Sequence, residues 1–326
     1  MLNDSAGNPD LLLSAGDQAD QFFRSENGRL MAAMSDTYPL PVDKDEHKRS
    51  ELHHRLLQFV FSGKNYLGPV KEALQFGQKR RILDLGTGKG HWAVEMADEF
   101  PRADVIGIDI APIQPAYVPP NCQFEICNLD EDLVLPYLDG TFDFIHARSL
   151  HIGIQDYPRL LQEIGRLLRP GGLVLLVEPD LFPVAERDQS TGPIKTTNSM
   201  ADSGWSTLWS TFRTCLQDRE CSVDVDVPSR LGVLLAKTEM FEDITVKQAN
   251  VPVGFWPGDP TLLTIGQLQW MDYELLIPAL LNLFLSQGIP QEEVDVIIGQ
   301  AQHDLYYPTV PLMAHIHIAY ASKRPN

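Results

Sequence analysis

The sequence predicts an α/β fold in which helices cover both faces of a mostly parallel β-sheet. From about residue 80, short continuous apolar segments alternate with amphipathic helical stretches, a pattern typical of a buried parallel sheet. A glycine-rich turn, Gly86 to Gly90, follows the first of these apolar segments. Of the 326 residues, 44% are hydrophobic and 21% are charged, which is the composition of an ordinary globular protein rather than of a disordered or coiled-coil chain.

The first part of the chain is predicted to be a tail followed by a helical cap. Residues 1–35 are rich in small and polar side chains, so we expect a flexible N-terminal tail. The remaining residues, 36–326, are predicted to form a single domain. Within its cap (36–77), apolar residues at helical spacing predict a helix over 43–61 and a shorter one over 66–76.

The segment 78–180 is the predicted core of the sheet. The expected strands are 81–85, 104–109, 123–126, 142–145 and 173–177, and the expected helices are 91–100 and 157–168. The segment 181–326 is predicted to add helices at about 201–217, 260–285 and 290–304, with strands at 244–246 and 315–321. We interpret these helices and the two strands as additions to a single domain, because one compact domain with helical insertions explains the pattern better than two domains do.

Charge and cysteine content exclude several classes of function. The chain carries 26 Lys and Arg against 44 Asp and Glu, a net charge of −18, which opposes binding to nucleic acid and to anionic membranes. None of the four cysteines has CxxC spacing, so no metal site is expected. No secretory signal or membrane-length apolar segment is recognised, and we therefore expect a cytoplasmic protein.

The glycine-rich turn predicts a nucleotide-type cofactor at the end of the sheet. Glycines let the chain turn tightly beside a ligand, and Asp109, at the end of the second strand, is placed to accept hydrogen bonds from both hydroxyls of a ribose. A nicotinamide dinucleotide and S-adenosylmethionine both have such a ribose. Because Asp84 precedes Gly86 by two residues, a cationic ligand without phosphate is favoured, and S-adenosylmethionine is the expected cofactor.

Further motifs resemble the class I S-adenosylmethionine-dependent methyltransferases, and specifically their fungal LaeA-like group of regulators and tailoring enzymes of secondary metabolism. Tyr38 to Pro41, followed by Asp43, Glu46, Arg49 and His54, is similar to the N-terminal signature of that group. Residues 142–150, 252–257 and 315–325 are similar to its fourth strand, a tryptophan–proline segment and its final strand. The resemblance implies a Rossmann-like sheet of seven strands with added N-terminal and C-terminal-half helices.

The resemblance also implies roles for matching residues. Asp84 is expected to hold the methionine ammonium, directly or through water, Asp109 to bind the ribose, and Ile110 to pack on adenine. Asn128 stands where the family usually has an acid that accepts from the adenine amino group, and Asp130 is an alternative acceptor for it. The residues expected to bind the cofactor are Tyr38, Asp84, Gly86, Thr87, Gly88, Asp109, Ile110, Asn128, Leu129 and Arg148.

Two histidines are candidates for deprotonating an acceptor. His151 follows the fourth strand closely, near the carboxyl ends of the strands where ligands bind, although a histidine with a purely structural partner fits this position too. Of the neighbours His53 and His54 on the cap helix, only one can face inward, since adjacent helical residues point apart. The resemblance favours His54.

Aromatic residues of the second half are predicted to form the acceptor pocket, although core packing is the alternative for about half of them. They are Phe182, Trp205, Trp209, Phe212, Trp256, Trp270 and Tyr273. Such walls suit a small hydrophobic acceptor, and the first hypothesis is therefore O-methylation of a phenol or carboxylic acid of secondary metabolism. The alternatives are a LaeA-like regulator acting through protein partners or protein methylation, in which case a nuclear location fits, and a cofactor-binding protein without catalysis.

Overall fold

A mixed β-sheet forms the centre of the protein in the computed structural model, which describes residues 19–75, 79–131, 134–185 and 203–325. The strands are β1 (Phe23–Glu26), β2 (Arg29–Ala32), β3 (Arg80–Leu85), β4 (Ala103–Asp109), β5 (Cys122–Ile126), β6 (Phe142–Arg148), β7 (Leu168–Pro179), β8 (Val184–Ala185), β9 (Phe241–Val253) and β10 (Leu312–Lys323). The helices are α1 (Ala19–Phe22), α2 (Lys44–Val60), α3 (Val70–Gln75), α4 (His91–Glu99), α5 (Tyr157–Leu167), α6 (Gly204–Asp218), α7 (Val227–Lys237), α8 (Pro260–Ala279), α9 (Leu281–Ser286) and α10 (Gln291–Tyr306).

The predicted α/β fold is confirmed. The order of the long strands is β5-β4-β3-β6-β7-β10-β9, and the two-residue β8 pairs with the start of β10. The pairings from β5 to β7 are all parallel, whereas β10 runs antiparallel to both β7 and β9. These seven long strands correspond to the seven that the resemblance implied.

Both faces of the sheet are covered, because side chains along each strand alternate between them. Ile82 of β3 belongs to the core that contains Trp92 and Met96 of α4, whereas the next residue, Leu83, belongs to the core that contains Leu161 of α5. The carboxyl ends of β3, β4, β6 and β7 meet at one edge of the sheet, where a ligand can reach the main chain.

The structure changes several predicted boundaries. The strand predicted over 244–246 runs from Phe241 to Val253, since its pairing with β10 continues across the whole edge. The helix predicted over 66–76 begins only at Val70, after Gly68 in the left-handed region at φ 88° and Pro69. The stretch 260–285 divides into α8 and α9 next to Pro278, and α7 was not predicted.

Part of the predicted flexible tail has a defined place in the structure. Strands β1 and β2 form a hairpin in which Phe23 and Ala32 are buried against Ala111 and Ile113, just beyond β4. The flexible-tail prediction is therefore wrong for this hairpin, because its apolar side chains find a surface that only the folded sheet provides. Residues 1–18 lie outside the described residues.

Candidate functional site

A large cavity lies over the carboxyl ends of the strands, with a volume of about 1630 Å³ that includes its open mouth. Its walls come from the segment before α2, from α2 itself, from the glycine turn, and from the chain just after β4 and β6. The remaining walls come from the end of β7, from helices α6 and α8, and from β10. Most of the predicted site residues meet here: Tyr38, Gly86, Thr87, Gly88, Asp109, Ile110, Asn128, Leu129, Arg148, His151 and Trp209.

The glycine turn brings the main chain to the cavity surface. Gly86 and Gly88 have φ of 65° and 57°, a region that residues with a side chain rarely adopt. A Cβ atom on Gly86 would also meet the side chain of Leu150, which would have to move to make room for it. The loop therefore brings a backbone surface to the cavity, where the sequence predicts that the cofactor binds.

Asp84 does not line the cavity, which argues against the direct contact that was one of the two roles predicted for it. One carboxylate oxygen lies 2.7 Å from Nδ1 of His146, and the other accepts a hydrogen bond from the Thr87 hydroxyl at 2.6 Å. His146 in turn stacks on Trp92 at a ring-centroid distance of 3.8 Å. Because both oxygens are engaged beneath the loop, Asp84 fixes the glycine turn rather than facing a ligand.

Asp109 lines the cavity at the end of β4. Its carboxylate accepts hydrogen bonds from the backbone N–H of Gly88 at 2.7 Å and of Ala111 at 3.2 Å. Burial raises the pKa of Asp109 to about 6, although these backbone hydrogen bonds act in the opposite direction. A carboxylate has about four acceptor sites, so acceptor capacity remains for hydroxyl donors of a ligand.

The wall beyond Asp109 is mostly apolar, with Ile110, Leu129 and Tyr38. The amide of Asn128 donates to the carbonyl of Met34 at 2.6 Å and accepts from the N–H of Asp130 at 3.0 Å, so both ends of this side chain join local backbone. The carboxylate of Asp130 binds Thr37 and Gln155 and does not line this cavity. Asp130 is therefore no better placed than Asn128 to accept a hydrogen bond from the adenine amino group.

Arg148 and His54 form a buried pair in which only Arg148 lines the cavity. A guanidinium N–H of Arg148 donates to Nδ1 of His54 at 3.0 Å. Burial and the nearby Arg148 lower the pKa of His54 to about 3, so this imidazole stays neutral and acts as the acceptor. The prediction that His54 faces the site is wrong; His53 lines the cavity instead, because α2 turns its adjacent residues to different sides.

His151 lines the cavity and is held by a carboxylate that the sequence analysis did not identify. Its Nδ1 lies 2.9 Å from Oε2 of Glu178, and both side chains are at most 1% exposed. Glu178 also accepts from the hydroxyl of Tyr157 at 3.0 Å and from the backbone N–H of Leu150 at 3.0 Å. No described residue forms a hydrogen bond with Nε2 of His151.

A second polar cluster on the cavity wall joins the cap helix to α8. Arg49 binds Glu46 through Nε at 2.8 Å and Asp272 through a terminal nitrogen at 2.8 Å. Asp272 also lies 3.1 Å from Nδ1 of His53, whose Nε2 is 3.2 Å from the hydroxyl of Ser149. Burial opposes ionisation of Asp272, but Arg49 and His53 hold its pKa below the ordinary value.

The predicted aromatic pocket separates into three places. Trp209, Phe212 and Tyr273 line the cavity. Trp205 packs edge to face against Trp209 and Tyr273 behind that wall. Away from the cavity, Trp256 and Trp270 donate their indole N–H to the carbonyls of Leu312 and Leu305, and Phe182 packs against the core. Core packing, the alternative considered from the sequence, therefore applies to several of these residues.

The described residues contain neither a metal-ligand cluster nor a membrane-spanning helix. Among them, no group of three or more His, Cys, Asp or Glu side chains is arranged to hold a metal ion. No described helix has the length and apolar character needed to cross a membrane.

Comparison with known proteins places this site in a recognised family. A family described as "Methyltransferase domain" matches residues 47–221. The chain is 31% identical to the "Secondary metabolism regulator laeA" of Coprinopsis cinerea over 87% of this chain and 69% of that protein. It is 30% identical to "Methyltransferase pytC" of Aspergillus terreus over 80% and 75%, respectively. It is 35% identical to the "Protein-methionine methyltransferase laeA" of Emericella nidulans, over 49% of this chain and 42% of that protein.

Proposed function

The chain belongs to the class I S-adenosylmethionine-dependent methyltransferases, in their LaeA-like group, and on that premise we propose that it methylates a hydroxyl oxygen of a small hydrophobic secondary metabolite. The observation that carries this proposal is the His151–Glu178 pair, in which His151 lines the same cavity as the aromatic residues Trp209, Phe212 and Tyr273. A hydroxyl acceptor is a poor nucleophile until it loses its proton, and such a pair can take that proton.

The residues around the glycine turn fit the cofactor. We assign the ribose to Asp109, whose spare acceptor sites match two adjacent hydroxyl donors. We assign the adenine to the apolar wall of Ile110 and Leu129, and the methionine part to the backbone of Gly86 to Gly88, with Arg148 beside it. When bound here, S-adenosylmethionine supplies an electrophilic methyl group.

The hydrogen bond to Glu178 determines what His151 can do. An ionised carboxylate only accepts, so Nδ1 of a neutral His151 must carry the proton and Nε2 must present its lone pair. That tautomer is the one required of a general base. Positioned carboxylate–imidazole pairs of this kind contribute about 10²- to 10⁴-fold to rates.

The aromatic wall gives the acceptor its hydrophobic environment. Trp209 and Phe212 of α6 and Tyr273 of α8 line the same cavity as His151. Their role is to exclude water and to align the acceptor oxygen, since a displacement reaction depends mainly on alignment. A neutral aromatic alcohol fits this wall better than a strongly polar compound does.

Labelled methyl transfer tests the proposal. The purified protein is incubated with methyl-labelled S-adenosylmethionine and a fungal metabolite extract, and label is followed into small molecules and into protein. The expected product is a labelled small molecule that loses its label under conditions that cleave aryl methyl ethers. His151→Asn should reduce the rate about a hundredfold or more, whereas Trp256→Ala, outside the cavity, should not. Label found only on protein would refute the proposal.

A second candidate is a regulator of secondary metabolism that acts on proteins. The relatives that favour it carry the descriptions "Secondary metabolism regulator laeA" and "Protein-methionine methyltransferase laeA". The same labelling experiment separates the two, since this candidate predicts labelled protein from an extract and no labelled metabolite. Cell fractionation adds a second readout, because the metabolic enzyme is proposed to be cytoplasmic and the regulator nuclear.

A further inference from the structure

Three residues from separate parts of the chain form a hydrogen-bonded row across the cavity wall. Asp272 of α8 lies 3.1 Å from Nδ1 of His53 on α2, and Nε2 of His53 lies 3.2 Å from the hydroxyl of Ser149, just after β6. All three line the cavity. The role proposed for His151 uses none of them.

The proton positions in this row follow from Asp272. As an ionised carboxylate it only accepts, so the Nδ1 of a neutral His53 donates to it and Nε2 accepts. The hydroxyl of Ser149 must then donate to His53, which leaves the lone pairs of the Ser149 oxygen for a ligand. The row therefore presents a hydrogen-bond acceptor to the cavity.

The backbone of Ser149 adopts a strained conformation, which costs conformational energy. Its φ of 54° lies in the left-handed region, which costs roughly 1 kcal/mol or more for a residue with a side chain. Its N–H donates to the carbonyl of Val177 at 2.9 Å, anchoring the turn to β7. His151 stands two residues further along the same turn, so Ser149 and the proposed base lie on one wall.

The lone pairs of the Ser149 oxygen select among possible ligand groups. Charge does not, because Asp272 is paired with Arg49 at 2.8 Å and Arg148 precedes Ser149 in the chain, and both arginines line the cavity together with Asp180. A carboxylate or phosphate oxygen that carries no proton only accepts, so it cannot bind these lone pairs. A neutral group that donates a hydrogen bond fits them.

We propose that the acceptor carries two hydroxyl groups, one methylated at His151 and the other bound by the Ser149–His53–Asp272 row. This inference rests on the proposed function and narrows its substrate class to dihydroxylated aromatic compounds. In the reaction, the oxygen of the first hydroxyl forms a bond to the methyl carbon while the sulfur–methyl bond breaks, and its proton passes to Nε2 of His151. The second hydroxyl keeps its proton and donates a hydrogen bond to the Ser149 oxygen, so the product is a monomethyl ether.

Matched acceptors test this inference. The rate of methyl transfer, as kcat/KM, is measured for naphthols and for a set of dihydroxynaphthalene isomers. At least one isomer should exceed the naphthols about five- to tenfold, the effect of one well-placed hydrogen bond. Ser149→Ala should bring this ratio close to one.

Three further variants identify the cause. Ser149→Gly also lacks the hydroxyl but accepts φ of 54° without strain, so it should repeat the result of Ser149→Ala if the hydroxyl, and not the fold of the turn, is responsible. His53→Gln should lower the same ratio through the orientation of Ser149. Ser50→Ala removes another hydroxyl from the same cavity wall and should leave the ratio as it is.

The outcomes separate this inference from the proposed function. Methylation of naphthols and dihydroxynaphthalenes at equal rates would overturn the inference and leave O-methylation standing. A rise in the KM for S-adenosylmethionine in Ser149→Ala, with an unchanged acceptor ratio, would also overturn it, since Ser149 would then serve the cofactor. Failure to methylate any small hydroxyl compound would instead overturn the proposed function.

Discussion

Replacement of Glu178 by glutamine tests the proposed chemistry at its most constrained point. The carboxylate of Glu178 is fully buried and lies 2.9 Å from Nδ1 of His151. Glutamine has nearly the same shape, but its amide can donate to Nδ1 and so favours the opposite tautomer, in which Nε2 carries the proton. A base in that tautomer cannot accept a proton from the acceptor.

The expected loss in kcat for Glu178→Gln is about 10²- to 10⁴-fold at neutral pH, the range for removal of a positioned general base. Stability should fall less dramatically, by about 1–3 kcal/mol, since the backbone N–H of Leu150 and the hydroxyl of Tyr157 still find one amide oxygen. Thermal unfolding and the affinity for S-adenosylmethionine are measured alongside kcat to separate the two effects.

Tyr157→Phe is the matched control. It removes the 3.0 Å hydrogen bond to Glu178 without changing which nitrogen of His151 carries the proton. Its expected cost is about 1 kcal/mol of stability and less than tenfold in kcat. If Tyr157→Phe lowers kcat as much as Glu178→Gln, the effect comes from packing around Glu178 and not from the tautomer.

The pH dependence supplies the refuting result. A phenolic acceptor loses its proton unaided near pH 10, so the difference between the native protein and Glu178→Gln should shrink as pH rises toward that value. A loss of the same size at pH 7 and pH 10, or a Glu178→Gln variant that keeps most of its kcat, would show that His151 is not the base.

Three other predictions concern cofactor binding, stability and the acceptor wall. Asp109→Ala should weaken S-adenosylmethionine binding at least about a hundredfold by calorimetry. Because the ionised form of Asp109 accepts the ribose hydroxyls, affinity of the native protein should also decrease as pH falls below about 6; affinity that is constant from pH 8 to 5 would contradict this assignment. Arg49→Ala leaves two carboxylates buried without their partner and should lower the free energy of unfolding by about 3–5 kcal/mol in urea titrations, more than a substitution at an exposed arginine such as Arg55→Ala. Trp209→Ala should raise the acceptor KM at least about tenfold, whereas Trp256→Ala should change it less than twofold, and equal effects would place the acceptor elsewhere.

Local sequence patterns were sufficient for the cofactor half of the molecule. The strand–glycine turn–helix pattern and the acid ending the second strand are short-range features, since each depends on residues a few positions apart. Helix α2 was likewise predicted over 43–61, and in the structure the side chain of Asp43 accepts hydrogen bonds from the N–H of Asp45 and Glu46 at its start. Such patterns reflect local conformational preference and alternating burial, so they predict helices and strands without reference to residues far away in the sequence.

The sequence alone was less informative about side chains whose partners are far away along the chain. Asp84 was expected to face the ligand, but the structure gives both of its oxygens partners beneath the glycine turn. The same limit applies to the adjacent His53 and His54, because helical periodicity states that they point apart and not which of them faces the cavity. The aromatic residues of the second half also could not be divided into wall and core from their spacing.

The sequence by itself determined that this protein has a covered, mostly parallel sheet with a cofactor loop at the ends of its strands, because those features are encoded in contiguous residues. Only the tertiary structure decided which polar side chains share the cavity. Arg49 meets Asp272 across 223 positions of the chain, and His151 meets Glu178 across 27. Buried charged groups need partners, and which partner each one finds depends on how the cap and the second half pack over the sheet.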